Sequence, residues 1–139
     1  MPTAPTAVEL LKNPLVRQAL DKAWIDSLAY DPLRRHEEGG WIYMDVSNGQ
    51  ISIRRAQSGV LDRINLNNPE IVLLSVVVGK FHTHPNPSVE GWNPRPSDLD
   101  VYYDDLHGVP DLIVSDKGEF VSGPTSRRGG PSVPAGYPL

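Results

Sequence analysis

Residues 71–81 are almost continuous in isoleucine, leucine and valine, and the run is bounded by Pro69 and Pro85. A short apolar run closed off in this way reads as a β-strand buried on both faces, with a short helix able to lead into it. Such a strand must be covered from both sides, and the sequence offers helices to cover it. In residues 8–28, Val8, Leu11, Leu15, Leu20, Trp24 and Leu28 recur at helical spacing. Asn13-Pro14 divides that stretch, with Asn13 as N-cap and Pro14 at the first helical position. A further helix is signalled at Pro96-Ser97-Asp98, with Leu99, Tyr102, Tyr103 and Leu106 as its core residues, and it stops at Gly108-Val109-Pro110.

Two hairpins complete the pattern. Residues 41–46 and 50–54 are β-formers on either side of Ser47-Asn48-Gly49, a strong hairpin signal. Residues 111–115 and 119–121, joined by Asp116-Lys117-Gly118, form a closing hairpin. The chain thus reads as a single α/β domain whose curved, mostly antiparallel sheet is flanked by helices. A helical segment (1–30) packs on a core (31–123), and a glycine- and proline-rich tail (124–139), expected to pack poorly, follows. At 139 residues one domain is the natural size.

The 13 basic residues are scattered among 17 acidic ones, for a net charge of −4, which argues against nucleic acid as a partner. With no cysteine, thiol catalysis, disulfides and thiolate metal sites are excluded. Histidine and carboxylate are left as the strong metal ligands. No apolar stretch approaches the length of a membrane span, and residues 1–5 lack the pattern of a leader, so a cytoplasmic protein without membrane partners is expected.

His82 and His84 stand at the exit of the buried strand. Residues i and i+2 of an extended chain point to one side, so both imidazoles can face one point. On a helix they would lie about 200° apart. A downstream aspartate, Asp98 or Asp100, and a glutamate beside Gly39-Gly40, Glu37 or Glu38, complete the parts of a catalytic zinc site. Alternation along a strand allows only one of the two glutamates to meet the metal. Residues 85–96, with four prolines and Trp92, read as a stiff irregular loop, either a flap over the site or a surface insertion. His36 and His107 read as surface residues or as neighbours of ligands. Asp104-Asp105 reads as a solvated acidic face.

In this order, His82-Thr83-His84-Pro85, Ser97-Asp98-Leu99-Asp100 and the upstream Glu37-Glu38-Gly39-Gly40-Trp41 resemble the JAB/MPN (JAMM) family of zinc metalloproteases, in a prokaryotic-type form, over residues 31–123. The resemblance implies a cytidine-deaminase-like α/β fold with one zinc ion per chain, held by His82, His84 and Asp100. It implies Glu37 as general acid/base and Ser97 as the donor that steadies the developing oxyanion. The interval from His84 to Asp100 is longer than in compact family members, the excess falling around Trp92.

The implied activity is that of a metallopeptidase or isopeptidase, a deubiquitinase-like hydrolase. It would cut after the Gly-Gly tail of a ubiquitin-like or sulfur-carrier-like protein. A JAB-fold scaffold without turnover is the alternative, as is a zinc hydrolase of another amide. For Arg127-Arg128-Gly129-Gly130 a glycine-rich tail without a role is the favoured reading, and a mimic of a substrate tail, open to self-processing after Gly130, is the alternative.

Overall fold

The computed structural model describes residues 2–128. In chain order it comprises α1 (Ala7–Lys12), α2 (Pro14–Asp26), β1 (Gly39–Asp45), β2 (Ile51–Arg55), β3 (Ser75–His84), a 3-10 turn (Ser88–Glu90), α3 (Asp98–His107), β4 (Asp111–Ser115) and β5 (Gly118–Ser122). Asn13 divides the first two helices as its position beside proline requires. Its Oδ1 accepts from the amides of Leu15 (2.9 Å) and Val16 (3.3 Å), while Pro14 has no N–H to satisfy.

The five strands form one mixed sheet in the order β2-β1-β3-β4-β5. β3 lies at its centre, antiparallel to β1 and parallel to β4, with α3 as the crossover between the parallel pair. One face carries α1 and α2: Leu10, Val16 and Leu20 pack there on Ile42, Val76, Val78 and Phe81. On the other face Trp41, Tyr43 and Val77 pack with Leu66 and Val109. No helix among the described residues is long and apolar enough to cross a membrane.

A β-bulge in β3 decides which face receives the histidines. The register against β1 runs Tyr43↔Val77 and then Ile42↔Gly79, so Val78 is an extra residue. Val76 and Val78 face α1 and α2, and a Cβ on Gly79 would meet Leu10 on that same side. Alternation then resumes with Phe81 on the helical side, which turns Lys80, His82 and His84 to the opposite face. Without the extra residue the whole set would exchange faces and the imidazoles would point under the helices.

Gly39 and Gly40 have a steric reason. A Cβ on Gly39 would run into the Phe81 carbonyl and His82 on β3, and one on Gly40 into the Arg54 carbonyl on β2. β1 is thus pressed against a backbone on each side.

Several expectations are corrected. β3 begins at Ser75, not Ile71. Leu74 has φ +59°, which breaks the extended run, and Ile71 and Leu73 are exposed. Leu99, Tyr102 and Leu106 are exposed rather than core residues of α3, and Asp104 is fully buried rather than solvated. His107 is buried too, so it is no surface residue. The described part of the tail is packed: the Thr125 carbonyl accepts from Ala7 N at 2.8 Å, and Arg127 donates to the Val77 carbonyl at 2.6 Å. Of the Arg-Arg-Gly-Gly stretch, Gly129 and Gly130 lie outside the described residues.

Gly39→Ala should separate β1 from β3 and lower stability by about 1–3 kcal/mol, the usual consequence of overpacking a filled site. Urea unfolding measures this. A wild-type midpoint would mean that the two strands have room to spare.

Candidate metal centre

The end of β3 presents His82 and His84 on one face, and their Nε2 atoms converge to 3.2 Å. Asp100, in the first turn of α3, spans the pair: Oδ2 is 3.1 Å from His84 Nε2 and Oδ1 3.3 Å from His82 Nε2. An ion with four ligands at about 2.0–2.1 Å has ligand atoms separated by roughly 3.3 Å, so these spacings are the edges of a tetrahedral site. Two imidazole nitrogens and a carboxylate suit zinc and other first-row dications. Asp98, the competing aspartate, is exposed at the first position of α3.

Glu37 adds a third side. Its carboxylate and the two imidazoles place ligand atoms within 4.8 Å of one another. Two triads therefore share the histidines. Either carboxylate could complete a metal site with the two histidines. The backbone holds Glu37 firmly, its N–H donating to the Val60 carbonyl and its own carbonyl accepting from Gly59 N, each at 2.8 Å. Burial pushes its carboxyl up to about 8, with His82 opposing and Asp100 adding to the rise.

Glu38 turns the other way, as strand alternation requires. Its carboxylate accepts from Arg55 (2.7 Å), from Ser58 and from His36 Nε2 (2.6 Å). Its backbone pairs with Thr83 through both N–H and C=O, which fixes the register that sets Glu37 beside the histidines.

Ser97 is the N-cap of α3. Its Oγ accepts from Asp100 N at 3.0 Å, and its own amide donates to Asp100 Oδ2 at 2.9 Å. This capping box aims the Asp100 carboxylate at the two imidazoles as well as starting the helix. Burial alone would raise the Asp100 carboxyl, but the bonds from His82, His84 and Ser97 outweigh it and hold it well below the usual range.

Sequence reasoning missed Asp111. Its Oδ1 lies 3.1 Å from His82 Nδ1, and it is almost wholly buried at the start of β4. Accepting the Nδ1 proton fixes the tautomer that leaves Nε2 free for a metal. Burial disfavours a charged His82, yet Asp111 and Asp100 together raise it well above 6.5, so cation binding displaces a proton. No local sequence signal gives the parallel pairing that brings Asp111 alongside β3. Lys80 did carry a signal, being a charge inside an apolar run that requires a buried partner.

The site opens into a cleft of about 300 Å³. Ile64, Leu66, Trp92, Leu99 and Tyr103 are among the residues that line it. The loop of residues 85–96 is tied down by the Arg35–Glu90 ion pair (3.3 Å), by Ser88 Oγ on Asp116 (3.1 Å) and by the Arg95 guanidinium over the Phe120 ring (5.3 Å). Asn86 lies in this wall. Its Nδ2 donates to the Leu61 carbonyl at 2.7 Å, while its buried Oδ1 has no hydrogen-bond partner among the described residues.

Comparisons with protein-family models, with curated proteins and with solved structures found no match to this chain.

Asp111→Ala should weaken metal binding by about 10- to 100-fold, as when other groups that orient ligating histidines are removed. Competition with a chromophoric chelator gives the value. A pH dependence also follows for the metal-free protein. The folded-state value of Glu37, about 8, lies above its ordinary 4.5, so the fold holds a proton that the unfolded chain releases. The stability contributed is complete below 4.5 and is lost as pH rises through about 8. Melting of chelator-treated Glu37→Gln should therefore match wild type near pH 4 and exceed it at about pH 9. Parallel melting curves would show that Glu37 ionises as freely in the fold as in the unfolded chain.

Proposed function

We propose that this chain is a zinc-dependent peptidase or isopeptidase of the JAB/MPN type, acting on the amide bond that follows the Gly-Gly tail of a ubiquitin-like or sulfur-carrier-like protein. The observation that carries the reading is the convergence of His82 Nε2, His84 Nε2 and the Asp100 carboxylate at 3.1–3.3 Å, with Glu37 beside them. The central strand, the crossover helix that delivers Asp100 and the hairpin that begins beside Glu37 support the same family reading.

A bound zinc ion supplies Lewis acidity and lowers the pKa of a water. The chain's own residues supply the rest. Glu37, buried and backbone-clamped, takes a proton in the cleft and returns it to the departing amine. Ser97 Oγ spends its acceptor capacity on the Asp100 amide, and its hydroxyl proton can be donated to the oxygen of the bond under attack. Glycines in the substrate tail let its backbone come close to the two histidines.

Metal analysis of the purified protein should give about one zinc per chain, lost in His84→Ala and in Asp100→Ala. Glu37→Gln should keep its zinc yet cleave a Gly-Gly-tailed fusion at least about 10²-fold more slowly, in line with removal of a general acid/base. If Glu37→Gln leaves all measurable function intact while zinc stays bound, the scaffold reading replaces this one.

A further inference from the structure

Lys80 lies on β3 two residues before His82 and on the same face, with its side chain 3% exposed. Its Nζ is 2.7 Å from Asp104 Oδ1 and 2.8 Å from His107 Nδ1. Asp104 and His107 are the residues that α3 buries. The apolar residues Leu99, Tyr102 and Leu106 of that helix face solvent. α3 thus meets the sheet through a charge and its hydrogen bond, where an amphipathic helix would use an apolar stripe.

The contact sits one turn from the proposed ligand. Asp100 and Asp104 are four residues apart and share a face of α3, while Lys80 and His82 share a face of β3. The Lys80–Asp104 pair and the Asp100–His82 contact are therefore neighbouring rungs between the same two elements. Apolar surfaces slide over one another at little loss. A buried ion pair has one good geometry, and breaking it leaves an uncompensated charge. Lys80 is also register-paired with Asp111, the residue that orients His82.

We infer that Lys80, acting through Asp104, is the positioning residue that holds α3 where Asp100 can serve as third ligand. The inference rests on the reading of Asp100 as a metal ligand. It assigns to a lysine that never touches the ion a measurable share of the affinity for it.

The test uses the full chain loaded with zinc, and with cobalt(II) as a spectroscopic substitute. Lys80→Met should bind zinc at least about tenfold more weakly in chelator competition, the scale seen when groups that orient ligands are removed. Its cobalt absorption spectrum, recorded at saturating metal, should differ from that of wild type, as expected when Asp100 no longer keeps its place among the ligands. Val16→Ala, a cavity variant in the core beneath α2, gives the effect of lost stability alone and should keep wild-type affinity and spectrum. Should Lys80→Met not fold, Asp104→Asn keeps the shape and an acceptor for Lys80 while removing the counter-charge, and the same two changes are expected. A folded variant of either kind with wild-type affinity and cobalt spectrum, beside an Asp100→Ala that has lost both, overturns the inference alone. Wild-type protein that binds neither metal overturns the reading of the metal centre and this inference with it.

Discussion

One extra residue in the central strand governs this molecule. Val78 bulges out of the pairing with β1, and alternation starts afresh beyond it. Upstream of the bulge the even-numbered side chains of β3 face α1 and α2; downstream they face α3. The same strand can therefore build an apolar core at one end and a polar site at the other. A regular strand would have to choose between them.

Downstream of the bulge, charge takes over from hydrophobicity as the organising force. Glu37, Asp100, Asp104 and Asp111 are gathered around Lys80 and the two imidazoles. Burial and neighbouring carboxylates make two of these, Glu37 and Asp104, reluctant to ionise, while Asp100 and Asp111 are held low by the histidines. Asp104 is driven up to about 7 by burial and by Asp111, with Lys80 pulling the other way. His107 is held near 4 by burial and by the Lys80 charge, which keeps it a neutral acceptor for that ammonium.

The sequence made some of this plain and hid the rest. Asn13-Pro14, the Asn48-Gly49 turn and Ser97 carry local chemistry, and each lies where that chemistry places it. The facing of His82 and His84 is legible because an i, i+2 pair on a strand has few geometric options, whereas Asp100 is legible only through the family resemblance. α3 was misread because apolar residues at helical spacing were taken for a buried face. Tertiary structure instead buries the other side, where Asp104 pairs with Lys80 and meets Asp111. Asp111 depends on a parallel pairing across a crossover, and the register of such a pairing is not written in either strand alone. The start of β3 was misplaced because Leu74 adopts a left-handed conformation within a run whose composition favours extension.

The tethers on residues 85–96 bear on the thermodynamics of ligand entry. Glu90, Ser88 and Arg95 each anchor the loop to a different part of the fold. Its prolines further restrict the backbone. The ordering entropy of that wall is thus charged to folding, not to association, and an incoming chain has mainly its own freedom to lose. Trp92, exposed on the cleft wall, is an indole whose emission can report on what comes to rest beside it.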